Sequence, residues 1–101
     1  MTISVEFHDT VASIALSGGI DYARQNEFKK ANEQALSAEG ITEIYVNFAE
    51  TSFLDSSGIR ALLTLQKEAD ASGKSLVLLH VNENMREIFD IGGFDRVFTF
   101  R

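Results

Sequence analysis

Residues 51–59, Thr-Ser-Phe-Leu-Asp-Ser-Ser-Gly-Ile, stand between an apolar run typical of a buried strand and an apolar run with helical spacing. This segment predicts that the carboxyl end of a strand turns directly into a helix. The first N–H groups of a helix lack intrahelical partners and carry the positive end of its dipole, so an anion is favoured there. Asp55, Ser56 and Ser57 all have side chains that cap such a terminus, and Gly58 lets another backbone come close.

The turn has two interpretations. In the simpler one Asp55 and the two serines only cap the helix, because Asp and Ser are preferred at this position. In the other, Ser56 is a phosphorylation site, because about −1.5 to −2 units of charge at a helix start suit the fold yet change the surface. The residues of the turn leave both interpretations open.

Two strands with one buried face are predicted before the turn. Residues 2–7 and 12–17 each alternate polar or small with larger apolar side chains, which is the period-two pattern of a half-buried strand. A turn between them should let the two strands pair antiparallel. Gly18-Gly19 is expected to end the second strand, and Asp21 to cap a helix that runs to about Ala38. The strand residues expected to be buried are Ile3, Val5, Phe7, Ala12, Ile14 and Leu16.

The rest of the chain alternates strands with helices. Residues 44–48 predict a third strand, and the uniformly apolar residues 76–79 predict a strand that is covered on both faces. Asn82 is placed to cap a third helix that stops at Gly92, and residues 96–100 predict the last strand.

This order of elements predicts a single α/β domain over residues 1–101. Its sheet should be mixed and mostly parallel, with an N-terminal antiparallel hairpin and with helices packed mainly on one face, because the first two strands have one polar face. Arg24 is expected to point away from the apolar face of the first helix. The helical residues expected to be buried are Phe28, Ala31, Ala35, Leu36, Ile59, Leu62, Leu63, Gln66, Ala69, Met85, Ile88 and Phe89.

Composition excludes several classes of protein. The 101 residues include no cysteine, so disulfides and thiolate metal sites are ruled out, and His8 and His80 lie at no metal-ligand spacing. We therefore expect no metal and no cofactor. A net charge of −6, with nine Lys and Arg scattered along the chain, argues against nucleic acid as a partner. Without a basic leader or a membrane-length apolar run, the chain is expected to be cytoplasmic and not inserted in a membrane.

The sequence also lacks the parts of a catalytic site. A strand-to-helix turn is where a nucleophile elbow places its serine, but the segment around Ser56 does not have the Gly-x-Ser-x-Gly spacing of that turn. Residues 17–19, Ser-Gly-Gly, lack the Lys and hydroxyl residue of a phosphate-binding loop. No general base is identifiable, so a binding protein is favoured over an enzyme, with a hydrolase as the weaker alternative.

Three motifs resemble one family. Residues 55–59, Asp-Ser-Ser-Gly-Ile, resemble the Asp-Ser-Ser/Thr-Gly-Leu signature of bacterial anti-sigma factor antagonists, which are single STAS domains. Residues 16–21, Leu-Ser-Gly-Gly-Ile-Asp, are similar to the family's Leu-x-Gly-x-Leu-Asp segment before the first helix. Residues 88–94, Ile-Phe-Asp-Ile-Gly-Gly-Phe, resemble its Leu-Phe-x-x-x-Gly-Leu segment. Together with the order of elements, the resemblance covers essentially the whole chain.

The resemblance implies a phosphorylation circuit. In the family, the unphosphorylated protein binds an anti-sigma factor that is itself a serine kinase, and a sigma factor is released. By analogy, this kinase phosphorylates Ser56, the pair separates, and a PP2C-type phosphatase restores the binding form. Ser57 is the alternative acceptor. The implied partner-binding residues are Asp21, Asp55, Ser56, Ser57, Gly58, Ile59 and Arg60.

Two of these residues keep a simpler interpretation. Asp21 matches the family's Asp in the opposite loop, where partner contacts are implied, and it also suits a helix cap. Arg60 stands where many family members have a second Gly. Because Arg60 lies one helical turn after Ser56, its guanidinium is expected to reach a phosphate there. The alternative is a solvated surface Arg that contributes nothing.

The resemblance leaves a second function open. STAS domains also occur as adaptor subunits of lipid-transport ATPase complexes, in stressosomes and in response-regulator phosphatase pathways without sigma-factor output. The Asp-Ser-Ser-Gly sequence at residues 55–58 favours the phosphorylated members of the family but does not name their output.

Overall fold

The chain forms a mixed five-stranded sheet with three α-helices in a computed structural model that describes residues 2–101; the first residue of the predicted domain lies outside them. The strands stand in the order of the sequence. The first two pair antiparallel and every later neighbouring pair is parallel, as predicted. The elements are β1 (Ile3–His8), β2 (Val11–Ile20), α1 (Gln25–Ser37), β3 (Glu43–Leu54), α2 (Ser56–Ala71), β4 (Ser75–Leu79), α3 (Glu83–Ile91), a 3-10 turn (Phe94–Arg96) and β5 (Thr99–Phe100).

All three helices contribute to a core on one face of the sheet. The strand register places Ile14, Val46 and Leu78 side by side in one row of this face. The neighbouring row points to the other face and contains Ser13 and Tyr45. The predicted fold class is therefore confirmed. The largest fully buried side chains are Phe28, Phe48, Phe89, Ile14, Ile20, Ile44, Leu62, Leu65, Leu78, Met85 and Val46.

Strand β2 continues past the point where the two glycines were expected to end it. It pairs with β3 as far as Ile20 opposite Leu54, with a register shift between Gly18 and Gly19. Glycine is tolerated in a strand at such an irregularity or where another group approaches closely. Here the ring of Phe53 lies where a side chain on Gly19 would be, so the glycine makes room for an aromatic ring and the strand goes on.

The helix cap predicted at Asp21 is wrong. Helix α1 begins at Gln25, and its N-cap residue, Arg24, makes no side-chain cap. Asp21 instead closes a turn before the helix, because its Oδ1 and its carbonyl oxygen both accept from the backbone N–H of Arg24, at 3.1 and 3.0 Å. The Arg24 side chain is buried, contrary to expectation, and its Nη2 lies 3.4 Å from Glu27 Oε2.

Some residues expected in the core lie elsewhere. Phe7 is 45% exposed because β1 is an edge strand, and Ile88 is 44% exposed at the rim of a cleft. On α2 the buried face is turned relative to the expectation, so Leu65 is buried while Gln66 donates to Asp70 at the surface. The last strand is shorter than predicted, because the 3-10 turn takes up the first of the residues assigned to it.

Asn82 joins the third helix to the sheet. Its Oδ1 accepts from the N–H of Met85 at 2.8 Å, which confirms the predicted cap of α3. Its Nδ2 donates to the carbonyl of Thr51 in β3 at 3.3 Å. One side chain therefore fixes both the start of α3 and its position beside the strand that leads into the central turn.

Candidate functional site

Asp55 holds the junction between β3 and α2. Its Oδ1 accepts from the backbone N–H groups of Ser57 and Gly58 at 2.8 and 3.2 Å. Its own N–H donates to the carbonyl of Ile20 at the end of β2, at 3.0 Å. The predicted strand-to-helix turn and its Asp cap are thus confirmed, and the cap ties the turn to the neighbouring strand.

The two serines of the turn differ in exposure. Ser56 is the first residue of α2 and is exposed, whereas Ser57 is half-buried. The Ser57 N–H is already taken by Asp55. A group added to the Ser56 hydroxyl would lie at the positive end of a 16-residue helix and would not disturb the capping bonds.

Gly58 is buried where the first turn of α2 crosses the end of β2. A Cβ at this position would lie 3.1 Å from Leu54 Cδ2, 3.2 Å from Ile20 Cγ2 and 3.3 Å from the Ile20 carbonyl oxygen. These distances are tight, so the missing side chain lets the helix pack against β2. The close approach that Gly58 permits is therefore an internal one.

The loop after β2 lies at the same edge of the sheet as this turn. Strands β2 and β3 are parallel, so their carboxyl ends meet, and the Asp55 to Ile20 bond joins them. Asp21, which follows Ile20 directly, is half-buried at this edge. The structure therefore brings together the two loops that the sequence singled out.

Two exposed aromatic side chains flank these loops and were not predicted as site residues. Tyr22, next to Asp21, is 76% exposed, and Phe53, two residues before Asp55, is 47% exposed. Large exposed apolar side chains are informative when they cluster beside polar loops. In the sequence, only their positions close to Asp21 and Asp55 indicate that they belong to the site. Their exposure depends on the tertiary fold and could not be predicted from the sequence.

Ile59 and Arg60 extend the site along α2 in different ways. Ile59 is half-buried and lines an apolar cleft between α2 and α3. Arg60 is exposed, one helical turn after Ser56. Arg60 is thus a cation at the surface near the predicted acceptor, while Ile59 contributes mainly to packing. The other residues of the cleft are Leu54, Met85, Ile88 and Phe89.

Residues 2–101 contain neither a cluster of metal-ligating side chains nor a membrane-spanning helix. No three His, Cys, Asp or Glu side chains in this part of the chain are grouped so that they could hold a metal ion. Among the described residues, no helix has both the length and the apolar character that crossing a bilayer requires.

The fold and the capped turn define a STAS domain. The sequence matches the STAS domain family over residues 2–101, and the chain belongs to this family. It is 27% identical over 95 residues to the anti-sigma-B factor antagonist of Staphylococcus epidermidis, an alignment that covers 92% of this chain and 87% of that protein.

Two solved structures share the fold over nearly the whole chain. The anti-sigma factor antagonist SpoIIAA in its unphosphorylated form is 25% identical, with a TM-score of 0.78, covering 99% of this chain and 87% of that one. The Bacillus cell fate determinant SpoIIAA in the phosphorylated form is also 25% identical, with a TM-score of 0.77, covering 99% and 91%. The family resemblance inferred from the three motifs is confirmed.

Proposed function

We propose that this chain is an anti-sigma factor antagonist whose binding is switched by phosphorylation of Ser56. The observation that carries the proposal is the exposed serine at the start of α2, directly after the capping Asp55. The names of its relatives support the class of function, and a phosphorylated form of SpoIIAA supports the type of switch. The chain acts as a cytoplasmic binding module and not as an enzyme.

The proposed partner is an anti-sigma factor that is also a serine kinase. The unphosphorylated chain binds it through Asp21 and residues 55–60, and the kinase then transfers a phosphate to the Ser56 hydroxyl. A PP2C-type phosphatase removes this phosphate and restores the binding form. Ser56 is preferred to Ser57 as the acceptor because it is the more exposed of the two and its backbone lies at the helix start.

Release follows from electrostatics. The phosphate adds about −1.5 to −2 units of charge beside the carboxylate of Asp55. The helix dipole stabilises this charge on the free protein, but burying it unpaired in an interface costs several kcal/mol, about 3–5 in comparable cases. No refolding is needed, and both the unphosphorylated and the phosphorylated form of SpoIIAA have the fold of this chain.

The acceptor can be identified by mass spectrometry. We expect the purified chain, incubated with ATP and a lysate of its host, to gain one phosphate that maps to Ser56. The Ser57→Ala variant should gain the same phosphate and the Ser56→Ala variant none, because only Ser56 is fully presented at the helix start.

Two results would contradict this assignment. A phosphate that persists in Ser56→Ala and disappears in Ser57→Ala would move the acceptor to Ser57. No phosphate in any form, with active kinases shown in the same lysate, would favour a constitutive STAS adaptor subunit whose partner recognises the surface without chemistry.

Arg60 is proposed to contact the phosphate on Ser56 by charge-assisted hydrogen bonds. If it does, Arg60→Gly should change the rate at which a PP2C-type phosphatase removes the phosphate, because the guanidinium that holds the phosphate is gone. The rate is measured on phosphorylated protein, with Arg96→Gly, an exposed Arg in the 3-10 turn, as the control. Equal rates for the wild type and both variants would make Arg60 an ordinary solvated side chain.

A further inference from the structure

Strand β1 has a free edge. Within the described residues it pairs only with β2, in a register that places Ile3 opposite Leu16, and the N–H of Ser17 donates to the carbonyl of Thr2 at 2.9 Å. In an antiparallel ladder, residues alternate between those whose N–H and C=O groups face the neighbouring strand and those whose groups face away. Since the backbone carbonyl of Thr2 faces β2, the residues whose backbone N–H and C=O groups face the free edge are Ile3, Val5 and Phe7.

The same three residues carry the apolar side chains of the strand. Ile3 and Val5 are half-buried, and Phe7 is 45% exposed. Beside them a groove of about 250 Å³ opens between β1 and α1. A further strand at this edge would therefore find both unpaired backbone groups and an unfilled groove with apolar and polar walls. The groove is lined by Ile3, Val5, Glu27, Lys30, Ala31 and Gln34.

We propose that β1 pairs antiparallel with β1 of a second copy of this chain. The twofold axis that relates the two copies passes between their Val5 residues. Val5 then lies opposite Val5 of the second copy, and Phe7 lies opposite Ile3. Each Phe7 ring enters the groove of the other copy, and the two sheets join into one. This pairing gives Phe7 the apolar contacts that it lacks in the single chain.

The side chains of β1 match those of a second copy in this register, apolar against apolar and Glu against Ser. Glu6 lies opposite Ser4 of the other copy and not opposite another Glu6, so no like charges face each other directly. The rim of the groove carries one acid, Glu27, and one base, Lys30. Residues 3–8 also contain no Lys and no Pro, two of the devices that protect exposed edges. The net charge of −6 opposes association at long range, so the dimer should strengthen as salt is added.

The absence of cysteine from the chain allows a direct test of the register. Opposite residues of a hydrogen-bonded antiparallel pair have Cα atoms about 5.5 Å apart, within the range of a disulfide. Val5→Cys should therefore form a covalent dimer under mild oxidation. Ile3→Cys is the matched control. The residues at position 3 of the two copies would be offset by four residues along the strands, about 14 Å at about 3.4 Å per residue, too far for a disulfide.

Sedimentation equilibrium on the unsubstituted full chain provides a second measurement. We expect a monomer–dimer equilibrium that shifts to dimer as the protein and salt concentrations rise. The Phe7→Lys variant should lose the dimer but still fold, because Phe7 is exposed in the single chain. A chain that stays monomeric at every concentration and salt level overturns the proposal. A Phe7→Lys variant that still dimerises also overturns it, as does an Ile3→Cys variant that cross-links as fast as Val5→Cys. If β1 pairs only with a strand of another protein, the chain alone will stay monomeric.

Discussion

Ser56→Asp should weaken binding of the chain to the anti-sigma factor proposed as its partner by about 100- to 1,000-fold, the equivalent of about 3–4 kcal/mol, because it would leave an unpaired charge in the proposed interface. The folded chain should not be destabilised. Its first helical turn lies at the positive end of α2, where an acidic side chain is worth about 0.3–1 kcal/mol in favour of the fold. Isothermal titration with the purified anti-sigma factor measures the binding, and urea unfolding measures the stability.

Thr64→Asp is the matched control for this experiment. Thr64 is exposed on the same helix two turns further on, so the variant has the same net charge with the added carboxylate outside the turn. It should bind as tightly as the wild type. Equal affinities for Ser56→Asp and the wild type would show that residue 56 lies outside the interface, and equal losses in both variants would assign the effect to overall charge.

Phe89→Ala should lower the free energy of unfolding by about 3–5 kcal/mol, the usual cost of removing a buried Phe. Phe89 is 1% exposed, and its ring centroid lies 5.6 Å from that of Phe98 and 5.5 Å from that of Phe100 in edge-to-face contacts. Arg86 covers the Phe100 ring, with its guanidinium carbon 3.9 Å from the centroid. The change therefore removes the centre of the cluster that holds α3 and β5 together.

Because a domain of this size has about 5–15 kcal/mol of stability in total, the effect of Phe89→Ala should be plain in the urea midpoint. Ile91→Ala, on the same helix but 80% exposed, is the control and should move the midpoint little. If the two variants unfold at the same midpoint, the aromatic cluster does not stabilise the domain in the way that its packing indicates.

The central turn could be predicted from the sequence because its determinants are local. An apolar run, a capping residue and a second apolar run with helical spacing are all within a few positions of Asp55. The same holds for Asn82 and the start of α3. The position of both loops at one edge was not predicted; it follows from the parallel pairing of β2 with β3, whose carboxyl ends meet.

Most of the errors come from contacts between distant residues, and one is a local ambiguity. The local ambiguity concerns Asp21, because an Asp that accepts from an N–H three residues ahead serves a turn as well as a helix. Gly19 continues its strand because the ring of Phe53, far along the chain, occupies its side-chain space. The exposure of Tyr22 and Phe53 depends likewise on what packs over them.

The bonds that shape the central turn make no use of the Ser56 side chain: they join Asp55 to Ile20, Ser57 and Gly58. Selection on folding therefore places little constraint on the residue type at position 56. If the switch operates as proposed, a single codon change there can lock a gene duplicate permanently in the binding or the released form while it still folds. Paralogues with Ala or Asp at this position would then be expected in genomes that encode several copies of the domain.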